Sequence, residues 1–447
     1  MDEIWNYGFA KQFAEGLVPY RDFNLVVPPL FPLLGAVFAS DLLRFRLFGS
    51  VINAAISGSV YYSSQKNSQS QLYGTILTLG ACAALSVISF TSYNTLLIFF
   101  LFLCYMAVVN SESKQSMPRM FLVGFVLAIS LLIKHPAPAV LIVVITAVYL
   151  LRVFMGSIRT RELFAYSLGG SLPVAALVIY LNYHNALKNF LDYILWGLPS
   201  FSENFTISNP IGTLPILALS VIVTIRINAE RIKNLKDRKL GIAVLFSLIS
   251  YIFLIPIVDL YHAIQLLVFQ LLMLADSISL EKHIIPDQSP GSQVRLSFAA
   301  GLVAVVLFLI PGFQTNGMIR SEIQDYKGIL ISPDIEQDVM LISEFIRSNE
   351  KSGHDVVVVH KSAYIYTLPA NDTNGVLDLM LNGNIGTLTH EEIKKILSEK
   401  DLILTNAHLG NQDIREIREY ILTNYCERGS IGNMQIFQPP ADNSAER

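Results

Sequence analysis

The stretch Asp2–Pro32, DEIWNYGFAKQFAEGLVPYRDFNLVVPPLFP, decides how this chain is read. It opens on adjacent carboxylates, Asp2 and Glu3. An amphipathic run follows, with Ile4, Tyr7, Phe9, Phe13 and Leu17 on or near one helical face. Gly16 and Pro19 close that run, the polar patch Tyr20-Arg21-Asp22 succeeds it, and Pro28-Pro29 leads into a new apolar segment at Leu30. Such a stretch is too polar to cross a bilayer and too apolar to float free of one. It predicts a loop with a helix lying at a membrane interface, carrying acids beside aromatics.

The rest of the chain supplies the membrane. Of 447 residues, 52% are hydrophobic and 15% charged, with a mean hydropathy of +0.48; about 25% charged is usual in a soluble domain. The class is a polytopic α-helical membrane protein. A net charge of -3 gives nucleic acid nothing to bind. Cys82 and Cys104 fall in apolar runs and Cys426 stands alone in the polar tail, so there is no disulfide framework and no zinc or haem spacing. Windows of about 20 residues place spans at 45–63, 71–90, 93–110, 119–134, 136–152, 163–183, 211–228, 240–258, 261–280 and 295–313. Leu30–Leu43 reads as a short helix at the outer surface or leading into the first span. The runs either side of Pro136 and Pro138 read as two spans or as one kinked hairpin.

Lys and Arg set the orientation. The linker 226–239 carries Arg226, Arg231, Lys233, Lys236, Arg238 and Lys239 and must be cytoplasmic. Alternation from there puts Lys66, Lys114, Arg119, Arg152, Arg159, Arg161, Lys282 and Arg295 on the same side and leaves the opposite linkers nearly bare. The Asp2 loop, the linker 184–210 with Tyr193, Trp196 and Phe201, and the C-terminal region then lie outside. An external loop needs a span before it, so a further transmembrane helix ahead of Met1 is expected. After about 320, charge rises and apolar runs shorten to strand length. The runs 355–360, 363–368, 401–406 and 434–438 read as strands, and 334–349, 390–400 and 411–424 as helices. This gives an external loop over 1–44, a bundle of about ten spans over 45–313, a small extracytoplasmic α/β domain over 320–438 and a disordered tail over 439–447.

Asp-Glu, the aromatic-rich helix, then Gly-Leu-Val-Pro-Tyr-Arg-Asp-Phe and Pro-Pro-Leu together resemble the first external loop of the integral-membrane glycosyltransferases of the C type. The resemblance is closest to the bacterial relatives of protein O-mannosyltransferases and aminoarabinose transferases. It implies a sugar donor linked to polyprenyl phosphate, inversion at the anomeric carbon and Asp2 as the catalytic base. Alone, an Asp-Glu pair is an ordinary charge at a helix start; the whole stretch, with a polytopic chain behind it, carries the resemblance.

That chemistry needs few groups. A base takes the acceptor hydroxyl proton, and cations or hydrogen-bond donors stabilise the departing phosphate. Phosphate leaves as an anion, so no second carboxylic acid is required, unlike ordinary glycoside hydrolysis. Glu3 is open among base, orienting partner and plain helix-start charge. Lys134-His135 sits at the outer end of an apolar run, where the charge pattern otherwise avoids Lys. It is either a snorkelling anchor or a phosphate ligand; the resembling family carries a Lys at the corresponding break, close to the carrier phosphate. Asp259-Leu260-Tyr261-His262 interrupts the apolar stretch 240–280, with Asp259 and His262 on one helical face. Asp259 either orients His262 towards a phosphate or closes a polar turn between hairpin helices. Relatives of the family show a similar Asp-x-x-His. As a metal pair the two would lack further ligands. Tyr20, Arg21 and Asp22 are candidate sugar or phosphate contacts. Arg46 is either a surface charge or a lipid-phosphate ligand, and His360 and His408 read as structural.

The expected function is therefore transfer of a hexosyl or pentosyl group from a polyprenyl-phosphate donor at the outer face of the cytoplasmic membrane. The partners are membrane lipid and a glycolipid, cell-wall polymer or protein acceptor. No cofactor is assigned beyond the polyprenyl-phosphate-linked sugar as donor substrate, and a divalent metal stays open. The rival is a transporter or lipid flippase, which should show charged or broken helices at the bilayer midplane in two similar halves. A receptor built on the external tail would leave the Asp2 loop without a purpose.

Overall fold

The computed structural model describes residues 2–23, 25, 27–65, 71–87, 91–113, 116–192, 206–207, 210–229, 238–255, 257–284, 317–360, 368, 376–378, 390–405 and 412–440. Helix α1 (Asp2–Ala14) and the short α2 (Leu30–Ala36) come first. The bundle follows as α3 (Leu42–Gln65), α4 (Gln71–Val87), α5 (Tyr93–Ser113), α6 (Met117–Ile133), α7 (Pro136–Phe154) and α8 (Thr160–Tyr183). After the short connecting α9 (Leu187–Asp192) come α10 (Pro210–Ala229), α11 (Arg238–Ile249) and α12 (Leu260–Ile284). The apolar runs from 45–63 to 261–280 each coincide with one of these helices. The run 295–313 lies outside the described residues. Either side of Lys134 and His135 the chain forms two separate helices, the first of the two readings of that break. The run 240–258 is helical only in its first part. It tightens into a 3₁₀ turn at Ser250–Leu254, and Ile255 is extended (φ -105°, ψ 132°) because Pro256 follows it.

Helix α12 is the axis of the bundle. Every residue from Ala263 to Ala275 is buried, and the helix packs against α3, α4, α5, α10 and α11. Its apolar character on all faces is what a fully enclosed helix requires. One polar exception is tied across helices: Gln270 Nε2 donates to Thr224 Oγ1 (2.7 Å), which also meets the Tyr251 hydroxyl (2.9 Å). Helices α6 and α8 approach most closely through glycine. A Cβ on Gly124 would collide with the Tyr166 carbonyl, and one on Gly169 with the Phe121 carbonyl. Small residues of this kind let helix backbones touch where apolar burial alone gives little drive.

The outside of the bundle is apolar as well. Leu47, Val51, Val143, Leu151, Leu172, Ile179, Ile222 and Ile225 all stand exposed. By length and composition, α7 and α8 are able to cross a membrane; Tyr93–Val109, Met117–Ile133, Ile211–Ile225, Ile242–Leu254 and Leu260–Ala275 are shorter apolar helices.

The C-terminal part is an α/β unit. A small ribbon, β3 (Ile319–Arg320) with β4 (Leu330–Ile331), precedes α13 (Pro333–Lys351). The sheet then runs β6 (Val376–Asp378), β5 (Val356–His360), β7 (Leu402–Thr405), β9 (Met434–Gln438) and β8 (Cys426–Ile431). Its first three strands are parallel and the last two antiparallel. One face packs on α14 (His390–Ser398) and α15 (Gln412–Asn424), through Val357, Val359, Ile403, Ile393, Leu397, Ile417 and Ile421. Val356, Val358, Leu402 and Leu404 turn the other way, into the hydrophobic cluster that holds α13 and is continuous with the bundle core. Strands read at 355–360, 401–406 and 434–438 are present, and so are the three helices; 363–368 lies outside the described residues. Strands β6 and β8 were not read from the sequence.

The α6–α8 contact generates a stability prediction. Gly124→Leu should destabilise the detergent-purified protein by about 1–3 kcal/mol or more, because overpacking at a backbone contact has nowhere to relax. A thermal unfolding scan against Gly58→Leu, where a Cβ meets open space, checks it.

Candidate active site

Helix α1 presents Asp2 at its first position and Glu3 beside it. A single apolar face was expected, but Trp5, Asn6, Tyr7, Gly8, Phe9 and Ala10 are all buried. The helix is enclosed on several sides rather than laid flat on a surface. Gly16 turns the chain out of α1 at φ +87°, a conformation glycine adopts without strain. Glu3 is locked at once: Arg46 Nε reaches both its oxygens at 3.1 Å, and Arg46 Nη2 reaches Oε2 at 2.8 Å. Arg46 comes from the first turns of α3, so this fork ties the acid pair to the bundle. The fork leaves Arg46 committed to Glu3.

The patch after α1 is a stapled turn. Tyr20 holds a left-handed backbone (φ 64°), strained for a bulky residue. Its buried hydroxyl donates to the Val27 carbonyl at 2.8 Å, and its ring meets Phe190 edge-on. Asn189 Nδ2 donates to the Tyr20 carbonyl at 2.8 Å, bringing α9 onto the loop. Tyr20 is thus committed to the scaffold. Asp22 accepts the Val18 N–H and pairs in a fork with Arg21, both bonds at 2.7 Å. That guanidinium outweighs burial and holds the Asp22 carboxyl below its usual range. Arg21 remains the exposed cation of this patch.

Lys134 ends α6 in an extended conformation (φ -158°, ψ 134°), and Pro136 starts α7 at a position that suits it. Its Nζ donates to Asn94 Oδ1 at 2.9 Å and lies 5.4 Å from the centre of the Tyr93 ring. Asn94 is buried at the start of α5, whose Ser92 accepts the Asn94 N–H. Asn94 Nδ2 and His135 Nε2 are buried without a partner among the described residues. Orphaned buried polar atoms beside a cation leave room for an acceptor-rich group. Burial, with Lys134 adding to it, pushes His135 down to about 4. The ring is neutral at pH 7, so Lys134 is the cation of the pair.

Asp259 caps the central helix. Its Oδ1 accepts the backbone N–H of His262 and meets His262 Nδ1, each at 2.8 Å. The carboxylate thus both caps the helix start and orients the imidazole. Just before it, β2 (Ile257–Val258) pairs in parallel with β1 (Thr206–Ile207), tying the 184–210 linker to this turn. Tyr193, Trp196, Phe201 and Glu203 of that linker lie outside the described residues, as do His408 and the side chain of His360.

Phe31 of α2 meets Tyr93, α2 packs on α6, and α7 packs on the 3₁₀ turn before Asp259. The loop, the Lys134 break and the Asp259 turn thus gather at one end of the bundle. Sequence reading missed Asn94, Asn189 and Asp325, whose partners are far away in the chain. Among the described residues no group of three or more His, Cys, Asp or Glu side chains could hold a metal ion.

The fold defines a class: a helix bundle with an enclosed loop helix and an α/β domain at the same end. Two crystal structures of ArnT from Cupriavidus metallidurans superpose on this chain along nearly its whole length. The apo structure superposes with a TM-score of 0.53 at 11% identity. The structure bound to undecaprenyl phosphate superposes with a TM-score of 0.55 at 10% identity. Each comparison covers 99% of this chain and 94% of that chain. At such identity the likeness is one of fold, and at that level the resemblance to aminoarabinose transferases is borne out. No protein-family model and no curated protein sequence matches the chain.

Asp259 generates a pH prediction. Burial raises its carboxyl pKa, but the bonds to His262 and the backbone outweigh burial and the net shift is downward. A depressed folded-state value contributes stability above the unfolded carboxylate range, about pH 4, and that stability is lost as pH falls through the lower folded value. Asp259→Asn should therefore flatten the acid side of a stability-versus-pH curve while lowering stability at pH 7. Chemical denaturation between pH 3 and 7 checks both.

Proposed function

We propose that the chain is a polytopic membrane glycosyltransferase of the C type that takes a sugar from a polyprenyl-phosphate donor at the outer face of the cytoplasmic membrane. One observation carries this reading: the fold is shared along nearly the whole chain with ArnT, an aminoarabinose transferase captured with undecaprenyl phosphate. The exposed apolar side chains on α3, α7, α8 and α10 support a hydrocarbon surround, since patches of this extent are unusual against water. The domains are then an external loop up to residue 44, a membrane bundle over 45–313 and an extracytoplasmic α/β domain over 320–438.

Asp2 is the general base. Glu3, forked to Arg46, fixes the helix that carries it. The acceptor hydroxyl attacks the anomeric carbon as Asp2 takes its proton, and the sugar–phosphate bond breaks with inversion. Lys134, steadied by Asn94 and Tyr93, faces the developing phosphate charge together with the N-terminus of α7. His262, held by Asp259, and exposed Arg21 supply further contacts around the donor head group. Tyr20 and Asp22 shape the loop that presents Arg21.

Asp2→Asn keeps size and hydrogen bonding but cannot take a proton. It should lower turnover of a radiolabelled undecaprenyl-phosphate sugar by about 10²-fold or more, while binding of that donor survives. Normal turnover with an unchanged pH profile would remove Asp2 from the mechanism.

Lys134→Ala should cost about 10²–10³ in rate, the loss of a well-placed donor to a developing anion. Full turnover in that variant would make Lys134 an interfacial anchor.

A further inference from the structure

The loop helix has a second polar anchor, and it comes from the far end of the chain. Asp325, in the 3₁₀ turn Gln324–Tyr326 between the small ribbon's strands, uses both carboxylate oxygens on α1. Tyr7 donates its hydroxyl to Oδ1 at 2.9 Å, and Lys11 donates from Nζ to Oδ2 at 3.0 Å. Tyr7 and Lys11 are one helical turn apart on one face. We propose that Asp325 is a positioning residue: the C-terminal domain clamps the helix that carries Asp2 and Glu3, and so forms part of the active site rather than an appendage to it.

Several observations separate this contact from an incidental surface pair. The side chains of Lys11 and Asp325 are only 19% and 17% exposed, whereas pairs worth little are those open to water. Tyr7 is fully buried, and its ring packs on Phe45 at 5.8 Å. Burial, then the nearby Asp325 carboxylate, pushes the Tyr7 hydroxyl far above its ordinary range, so it stays a donor. Next in sequence, Tyr326 is buried in the cluster shared by the bundle and the domain. A buried hydroxyl or carboxylate left unpaired is costly, so the clamp favours one seating of the helix. Arg46 grips Glu3 near the start of α1, and Asp325 grips Lys11 eight positions later, about 12 Å along the axis. Two anchors from two different parts of the chain fix both the slide and the roll of α1.

The consequence for turnover rests on Asp2 being the base; the clamp itself does not. The full chain in phosphatidylethanolamine/phosphatidylglycerol nanodiscs is the material for the test, and amide hydrogen exchange is the readout. Asp325→Ala should speed exchange across Ile4–Ala14 at least about tenfold and leave Val356–Val359 and Leu402–Thr405 unchanged, a local opening rather than unfolding. Asp325→Asn, which keeps the Tyr7 bond and loses the Lys11 pair, should fall between. Pairing Asp325→Lys with Lys11→Asp should recover only part of the protection that either change alone abolishes, because a lysine at that position accepts nothing from Tyr7. In a turnover assay with the undecaprenyl-phosphate sugar, Asp325→Ala should lower kcat by about 10–100-fold with KM nearly constant, as expected when a reacting group is misplaced. Unchanged protection of α1 in Asp325→Ala overturns the clamp, and so does a loss of protection that α1 and the sheet share. If α1 responds as expected but the wild type transfers no sugar, the proposed reaction falls and the clamp stands. If the wild type transfers sugar and α1 does not respond, the reverse holds.

Discussion

In a helix enclosed by protein on most sides a buried charge or hydroxyl is costly to leave unpaired, and the seating of α1 follows from where Glu3, Tyr7 and Lys11 find their partners. Glu3 and Lys11 have opposite charges, and each meets a partner of opposite sign from a different part of the fold: Arg46 on α3 and Asp325 before α13. Tyr7 adds a buried hydroxyl to the second partner. Between these anchors Trp5, Phe9 and Ala10 bury apolar surface. Burial alone is non-directional and would let the helix slide; the forks and hydrogen bonds are what specify a register. The loop that follows depends on the same seating, because the strained Tyr20 backbone is held by Val27, Asn189 and Phe190, each anchored elsewhere.

The bundle obeys a complementary rule. Its axis, α12, carries no charged side chain where it is enclosed, from Ala263 to Ala275, and is capped by Asp259 at its start. One carboxylate both caps the central helix and orients His262, so a position that looks functional also has a folding task. The same holds for Glu3, Asp22 and Asp325. Each of these acids is paired in the structure, and their pairing explains why polar residues collect at this end without destabilising the fold.

The bundle was legible because apolar runs of span length alternate with Lys- and Arg-bearing linkers, two signals that are local in sequence. Helix α1 was legible as a helix but not in its burial: the pattern suggested one apolar face, and the structure covers Asn6 as well as Tyr7. Strand β8, CERGSI, escaped notice because it is exposed along nearly its whole length and carries no apolar alternation. Strand β6 has three residues, too few for any period to register. Within the site, Asp2, Glu3, Lys134, Asp259 and His262 stood out as charges interrupting apolar sequence. Asn94 did not, since an Asn at a helix start reads as local capping chemistry, and nothing in sequence joins it to Lys134 forty positions on. Asp325 lay in a stretch that reads as linker, more than three hundred residues from Tyr7.

Lys134 has a geometry that bears on the two readings sequence leaves equal. A snorkelling lysine at a membrane boundary runs its stem along apolar surface and puts its ammonium into water. Lys134 instead turns its ammonium to Asn94, a side chain only 3% exposed, and to the face of Tyr93. An Asn oxygen and a ring face are both neutral partners. Asn94 keeps its own Nδ2 donor unspent, and neutral His135 adds no second cation to repel the first. A buried amide donor and a neutral imidazole beside an ammonium are compatible with the acceptor oxygens of the phosphate ester proposed as donor.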